Sequence, residues 1–315
     1  MNLAEIEYQP FSLLSAADRA ALPDGLEDAY PMTALQAGLI FQSERLRGAS
    51  WYHDIQSYNL QGSFNRTAFA QAMQWIVDEH PILRTSYQLS QHSEFVQYIH
   101  QSTELPLFIE DWRELDEADQ AEQLDTFFEH ESHYRFNWAE PGLIRVHIHI
   151  LSDDRFRYSL SFHDSALDGW SINRLHTRLL RYYHMARRGE TPPQPLRDDF
   201  LRKYLMLERA TLQDPAARGY WQNELTGFEA MPVPRPLRTT RSTPVIDYFD
   251  VEIDNGLSQA IRALASELAV PVKTVLLASH LHVLGVICNR RRVITGYEHS
   301  GRPEELNAEQ GVGLF

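Results

Sequence analysis

With 315 residues, 43% of them apolar and 23% charged, the chain has the composition of a globular protein long enough for two packed units. A formal charge of -14 argues against a nucleic-acid partner, because phosphate backbones are met by concentrated positive charge. The single cysteine, Cys288, excludes an internal disulfide and fits a reducing compartment. The residues from Met1 to Glu7 are too acidic and mixed for a signal peptide, and no apolar run approaches the roughly 18 to 20 residues a membrane span needs. A soluble, cytoplasmic protein without a membrane partner is expected.

Residues 1–28 read as a lead-in strapped over the domain, with a short helix capped by Ser15. Thr33 is a suitable N-cap for a helix whose apolar stripe is Leu35, Leu39, Ile40 and Phe41. A strand is expected over Tyr52 to Leu60. A helix follows that is capped by Asn65, turns Phe69, Ala72, Met73, Ile76 and Val77 inward, and stops at His80 and Pro81. Leu83 to Tyr87 and Phe95 to Ile99 read as paired strands, and Asp116 to Tyr134 as an acidic helix with a solvated charged face.

Leu143 to Leu151 forms the next strand. His147 and His149 share one of its faces, and because no third ligand has convincing spacing, they read as solvated or hydrogen-bonded sheet histidines rather than a metal pair. After a turn at Ser152 to Asp154, Phe156, Tyr158, Leu160 and Phe162 alternate with Arg157, Ser159, Ser161 and His163, the period of a strand buried on one face. Ser171 can cap a helix whose apolar face is Ile172, Leu175, Leu179, Tyr182 and Ala186, ending at Gly189. Between strand and helix lie His163, Asp164, Asp168 and Gly169, the densest polar cluster in the chain, with the glycine allowing a close turn.

Three prolines within residues 189–195 mark a linker, dividing a lobe at 29–189 from a second at 198–315, with 190–197 between them. The second lobe should hold helices at 198–208, 257–269 and 271–287, strands at Ile246 to Ile253 and Arg292 to Tyr297, and a solvated basic turn at Arg290 to Arg292. The apolar ending from Gly311 to Phe315 suggests a strand cut short, so this lobe is expected to be incomplete. No P-loop, GxGxxG, CxxC, HExxH or GxSxG occurs, which removes the usual anchors of nucleotide, zinc and serine-hydrolase readings.

From about residue 28 to 315 the chain resembles a condensation domain of nonribosomal peptide synthetases. The resemblance rests on several ordered motifs: Tyr30 to Leu39, His80 to Thr85, Phe162 to Ser171 at the place of the signature HHxxxDG, Ser300 to Pro303, and Val312 to Phe315. It implies an α/β sandwich of the chloramphenicol acetyltransferase type, two-lobed, with mixed sheets flanked by helices. It also implies amide formation between two thioester-bound substrates, brought by upstream donor and downstream acceptor carrier proteins beside an adenylation domain. Their phosphopantetheine arms enter between the lobes, so the domain itself binds no cofactor.

The motif departs from the family at one position. His163 fills the first histidine place, but Asp164 stands where the amine-facing histidine is expected, and the DxxxxD pattern of heterocyclisation domains is not met either. Asp164 either positions the amine, with desolvation raising its pKa toward a useful range, or marks a lost active site and merely caps the loop. The resemblance gives His163 a conformational role or a direct one. It pairs Asp168 with Arg302 as a structural ion pair between lobes, and gives Arg84 an orienting, structural place. Trp170 is expected in core packing. The competing functions are a catalytically silent docking module and a stand-alone acyltransferase using coenzyme A.

Overall fold

The computed structural model describes residues 9–45, 51–193, 198–228, 233–234, 250–298, 300–304 and 307–315. Its contacts form two compact units, Met1–Ala217 with Ser300–Phe315, and Arg218–His299. The division therefore falls elsewhere than at 190–197, of which 194–197 lie outside the described residues. The reason is the helix α6 (Phe200–Gln213), which stays with the first unit by burying Leu201 and Leu205 and by an Arg202 to Asp28 ion pair of 3.0 Å.

The first unit carries two sheets. β1 (Leu26–Pro31), β4 (Val96–His100) and β3 (Thr85–Gln88) are antiparallel in that order. β2 (His53–Gln61), β7 (Arg155–His163), β6 (Ile144–Ser152) and β5 (Leu107–Asp111) form the second, antiparallel except for the parallel β5 and β6. The expected hairpin of β6 and β7 is present. Phe156, Tyr158, Leu160 and Phe162 of β7 enter one core with Phe69, Met73 and Ile76 of α3 (Arg66–Glu79) and with Ile172, Leu175 and Leu179 of α5 (Gly169–Arg187).

Two strands went unforeseen. β1 straddles the end of the expected lead-in, after the helix α1 (Ala16–Ala20) that Ser15 does cap, and β5 precedes the acidic helix. Leu83 and Arg84 belong to a 3-10 turn, Pro81–Arg84, so the strand starts only at Thr85. In α2 (Ala34–Arg45) Ile40 is buried as expected, but it is joined inside by Gln36 and Ser43, while Leu35 and Phe41 of the expected stripe are 46% and 57% exposed. Gln36 is drawn inward because its carbonyl accepts from the Thr33 N–H at 3.0 Å while Thr33 Oγ1 accepts from the Gln36 N–H at 3.2 Å, a capping box.

The second unit contains α8 (Asn255–Glu267), capped by Asp254, and α9 (Val272–Ile287), preceded by Pro271. α7 (Pro215–Leu225) crosses the boundary between the units. No strand forms over 292–297, where Ile294 and Tyr297 are exposed. Of the strand expected over 246–253, residues 246–249 lie outside the described residues and 250–253 are irregular. Gly311 to Phe315 is likewise not a strand; it buries Val312, Leu314 and Phe315 in the first unit. No single described helix is long and apolar enough to cross a membrane.

The polar face of the second sheet is covered by α4 (Glu117–Ser132), capped by Asp116. The expectation of a solvated acidic face fails at one residue, Glu131, which is buried. It accepts from Arg145 Nε at 2.8 Å and from Ser161 Oγ at 2.6 Å, and lies 3.4 Å from His147 Nε2. His147 and His149 are buried rather than solvated, stacked on Phe108 and Trp112 with ring centroids 4.7 and 4.0 Å apart. Burial opposes ionisation of Glu131, but hydrogen bonds from His147, Arg145 and Ser161 outweigh it and hold its pKa at about 2. A depressed carboxyl pKa contributes stability that is present above the unfolded value and lost as pH falls through the folded one. Glu131→Gln should therefore destabilise the protein near neutrality, and in denaturant melts its deficit against wild type should shrink as pH falls from 4.5 toward about 2.

Candidate active site

β7 delivers His163 to the edge of the core, and six residues later α5 begins. By strand alternation His163 shares the polar face with Ser159 and Ser161. Its ring is 3% exposed. The Ser165 N–H donates to Nδ1 at 3.1 Å, which places the ring proton on Nε2, where it is donated to Ser43 Oγ at 2.9 Å. Ser43 can then donate to Leu39 O or Trp51 O. Burial, with a lesser push from His53, lowers the His163 pKa to about 3, so the ring is neutral at physiological pH.

Ser43, Trp51, His53, Phe136, Trp138 and His163 line a pocket on that side of the loop. Across the sheet register from His163, His53 Nε2 meets Ser161 Oγ at 2.7 Å, and Ser161 donates to Glu131. Neither His53 nor Glu131 was singled out from the sequence, since nothing in their spacing sets them apart.

Asp164 is half-buried, and its N–H donates to Tyr52 O at 2.8 Å. The next carbonyl, that of Ser165, accepts from Gln36 Nε2 and from the Tyr87 hydroxyl, each at 3.3 Å. Gln97 ties this cluster to the first sheet by donating to Gln36 Oε1 at 3.1 Å and to Pro31 O at 3.1 Å. The loop is thus fastened on both sides of residue 164.

Its far end is held by charge. Asp168 accepts from Arg302 Nη2 at 2.7 and 2.8 Å, and the same nitrogen donates to Ser171 Oγ at 2.8 Å. Arg302 Nη1 donates to the carbonyls of Ala308 and Gly311 at 2.7 and 3.0 Å, and the guanidinium lies 4.1 Å from the centre of the Phe315 ring. Ser171 Oγ also donates to Gly313 O at 2.8 Å and accepts its N–H at 2.9 Å. All of these residues lie in the first unit, so the ion pair expected between lobes is a contact within one compact unit. Gly311 fits here because an added Cβ would come within 2.7 Å of the Phe200 Cβ.

The structure corrects three expectations in this loop. The N-cap of α5 is Asp168, whose Oδ1 accepts from the Ser171 N–H at 2.8 Å; Ser171 lies one turn in and turns its hydroxyl to Gly313. Starting the helix at Gly169 puts Trp170 on the face opposite Ile172, so it is 54% exposed rather than core, with its indole N–H donated to Glu309 O at 2.9 Å. Gly169 has neither a positive φ nor a neighbour within 4 Å of an added Cβ, so no close turn depends on it.

A model of the condensation-domain family matches residues 26–315. The chain belongs to that family. This condensation domain is of the nonribosomal peptide synthetase type. It is 34% identical over 317 residues to the AMB antimetabolite synthetase AmbE of Pseudomonas aeruginosa, and 31% identical over 299 residues to a linear gramicidin synthase of Brevibacillus parabrevis. Those alignments cover 98% and 92% of this chain but only 14% and 6% of the relatives. Among solved structures it is similar to the X-domain in its complex with OxyB from teicoplanin biosynthesis, with a TM-score of 0.73, 18% identity and coverage of 98% of this chain and 66% of that one. The first condensation domain of the calcium-dependent antibiotic synthetase, in complex with a substrate analogue, gives 0.66, 17%, 91% and 67%. These likenesses show the fold, which is chloramphenicol acetyltransferase-like with two sheets flanked by helices.

Within this condensation domain Asp168, Ser171 and Arg302 converge, and His163 and Asp164 adjoin them through the loop. Arg84 does not join them. Its buried guanidinium donates to Val77 O at 3.1 Å, to Glu27 Oε2 at 2.6 Å and to His100 O, bracing α3 against the first sheet. The geometry separates the motif residues by stability. Asp168→Asn should cost about 3 to 5 kcal/mol in chemical denaturation by leaving Arg302 without its counter-charge, whereas Gly169→Ala should stay within about ±0.5 kcal/mol.

Proposed function

We propose that the chain forms an amide bond between two carrier-borne substrates. The amine of an acceptor aminoacyl thioester attacks the carbonyl of a donor acyl or peptidyl thioester; the C–N bond forms, the C–S bond breaks, and the amine proton ends on the departing thiol. Phosphopantetheine arms on upstream donor and downstream acceptor carrier proteins bring both substrates, next to an adenylation domain, in a cytoplasmic synthetase. Membership of the condensation-domain family supports this reaction class.

The observation that carries the reading is the placement of Asp164. Its loop is pinned by Tyr52 O, by His163 and Ser165, and by the Asp168 to Arg302 ion pair. A carboxylate so held accepts hydrogen bonds from the attacking amine and stabilises the positive charge that grows on nitrogen as it attacks. His163, neutral and with both ring nitrogens engaged, holds the loop in shape rather than exchanging the proton.

Single-turnover peptide formation with loaded donor and acceptor carriers tests this. Wild type should form product, and Asp164→Ala should lower the rate by roughly 10²-fold or more. Product from Asp164→His but none from wild type would overturn the reading in favour of a silent docking module. Transfer from free acyl coenzyme A alone would overturn it in favour of a stand-alone acyltransferase.

A further inference from the structure

The helix α4 is held on the second sheet by a polar seam rather than by apolar burial. Of its 16 residues only Glu131 is fully buried. Glu131 anchors the last turn through Arg145 and Ser161, and Gln120 anchors the first by donating to Trp112 O and Leu151 O at 3.0 Å each. Between them Phe127 packs on the rings of His147 and His149, with centroids 4.9 and 4.8 Å away. Elements with so few buried apolar contacts are the ones that open locally while the rest of a domain stays folded.

Under this helix lies His149, 0% exposed and stacked flat on the Trp112 indole. Both of its ring nitrogens are buried without a hydrogen bond, which holds for no other histidine among the described residues. A neutral ring tolerates that position, because its apolar faces are packed on Trp112 and Phe127. A charged ring does not, since an ion taken out of water must be paired.

The charges around His149 offer no such pairing. On its own strand, β6, Arg145 and His147 are cationic or become so, and His147 and Arg157 of β7 repel a positive ring. Glu110 of β5 is 3.9 Å from Nε2, beyond hydrogen-bond reach; its side chain is more than half exposed and accepts the Trp112 indole N–H at 3.2 Å. Glu131 of α4 is taken up by Arg145, Ser161 and His147, and His53 of β2 stands behind Ser161. Burial, followed by His147 and Arg157, lowers the pKa of His149 from 6.5 to about 4.

We propose that α4 is a proton-released cover: a proton taken up at His149 lifts the helix from the sheet and bares the polar face of β7 that ends at His163. The opened form binds this proton at the ordinary histidine value of 6.5 and the closed form only at about 4, so falling pH favours opening across that interval. His53, whose pKa burial also lowers, acts in the same direction. Glu131, held at about 2, loses pairing energy only below its ordinary value of 4.5 and so does not mimic the effect above that pH. Neither Asp164 nor the amide reaction enters this device, so the two stand or fall separately.

Hydrogen exchange of the whole chain, read by mass spectrometry and corrected for intrinsic exchange rates, tests it. Between pH 6.5 and 4.5 the protection of α4 should fall at least roughly fortyfold against that of α3, the change linked to one proton at His149. His149→Phe, which keeps a ring on Trp112 but has no site for the proton, should remove most of that fall, and His53→Asn a smaller part. A second readout leaves residue 149 intact. The fluorescence difference between wild type and Trp112→Phe should dim and shift to the red over the same interval, as the indole meets first a charged imidazole and then water. Constant protection of α4 from pH 6.5 to 4.5, a fall shared equally by α3, the same fall in folded His149→Phe, or a constant Trp112 signal would each overturn the proposal.

Discussion

One carboxylate, that of Asp168, does two jobs at the same place, and the local structure depends on both. Its Oδ1 caps α5 through the Ser171 N–H, and both oxygens accept from Arg302, 134 residues away in sequence. Burying such a pair costs several kcal/mol per ion in lost hydration, which is offset only when the remaining donors are satisfied. The two terminal nitrogens of Arg302 meet that condition, since beyond the carboxylate they donate to Ser171 and to the carbonyls of Ala308 and Gly311, and Nε alone is left without an acceptor among the described residues. The start of the helix, the end of the loop and the segment at 311–313 are therefore held as one piece.

β7 then explains why the loop can be polar at all. Its two faces meet different neighbours: Phe156, Tyr158, Leu160 and Phe162 go to the apolar core, while Ser159, Ser161 and His163 lie under α4 with Glu131, Arg145 and His53. A buried polar layer is tolerable only when its members satisfy one another. At its end this layer supplies a neutral imidazole that receives one proton and gives another, fixing the direction in which the chain leaves the strand.

How far the sequence foretold this follows the strength of local signals. The alternation of β7, the Asn65 cap and inward face of α3, and the ordered motifs all repeat or punctuate over several residues, and those elements stand where expected. β1 and β5 were missed because strands of six and five residues, one carrying Asp28 and a terminal proline and the other Glu110, present no clean alternation; their pairing with β4 and β6 decides them. Asp168 and Ser171 are both good caps, and only the approach of Gly313 to Ser171 shows which one serves. That choice moves the start of α5 back toward Gly169, which is enough to rotate Trp170 from core to surface. Glu131 and Gln36 carry charge or polarity that composition assigns to solvent, and each is buried because partners distant in sequence receive it.

The aspartate in place of the second motif histidine can be read in the same terms. The contacts that shape the loop run through the backbone of residue 164 and through His163, Ser165 and Asp168. The backbone of residue 164 is thus set in a frame that its neighbours build, the Tyr52 carbonyl on one side and the Ser165 and Asp168 contacts on the other. An imidazole in that place offers proton exchange near neutrality, whereas a carboxylate offers a fixed negative end for a developing ammonium. In the reaction we propose, attack by an amine on a thioester would demand charge stabilisation and alignment before it demanded a strong base, and a rigid frame would supply alignment whichever of the two groups it held.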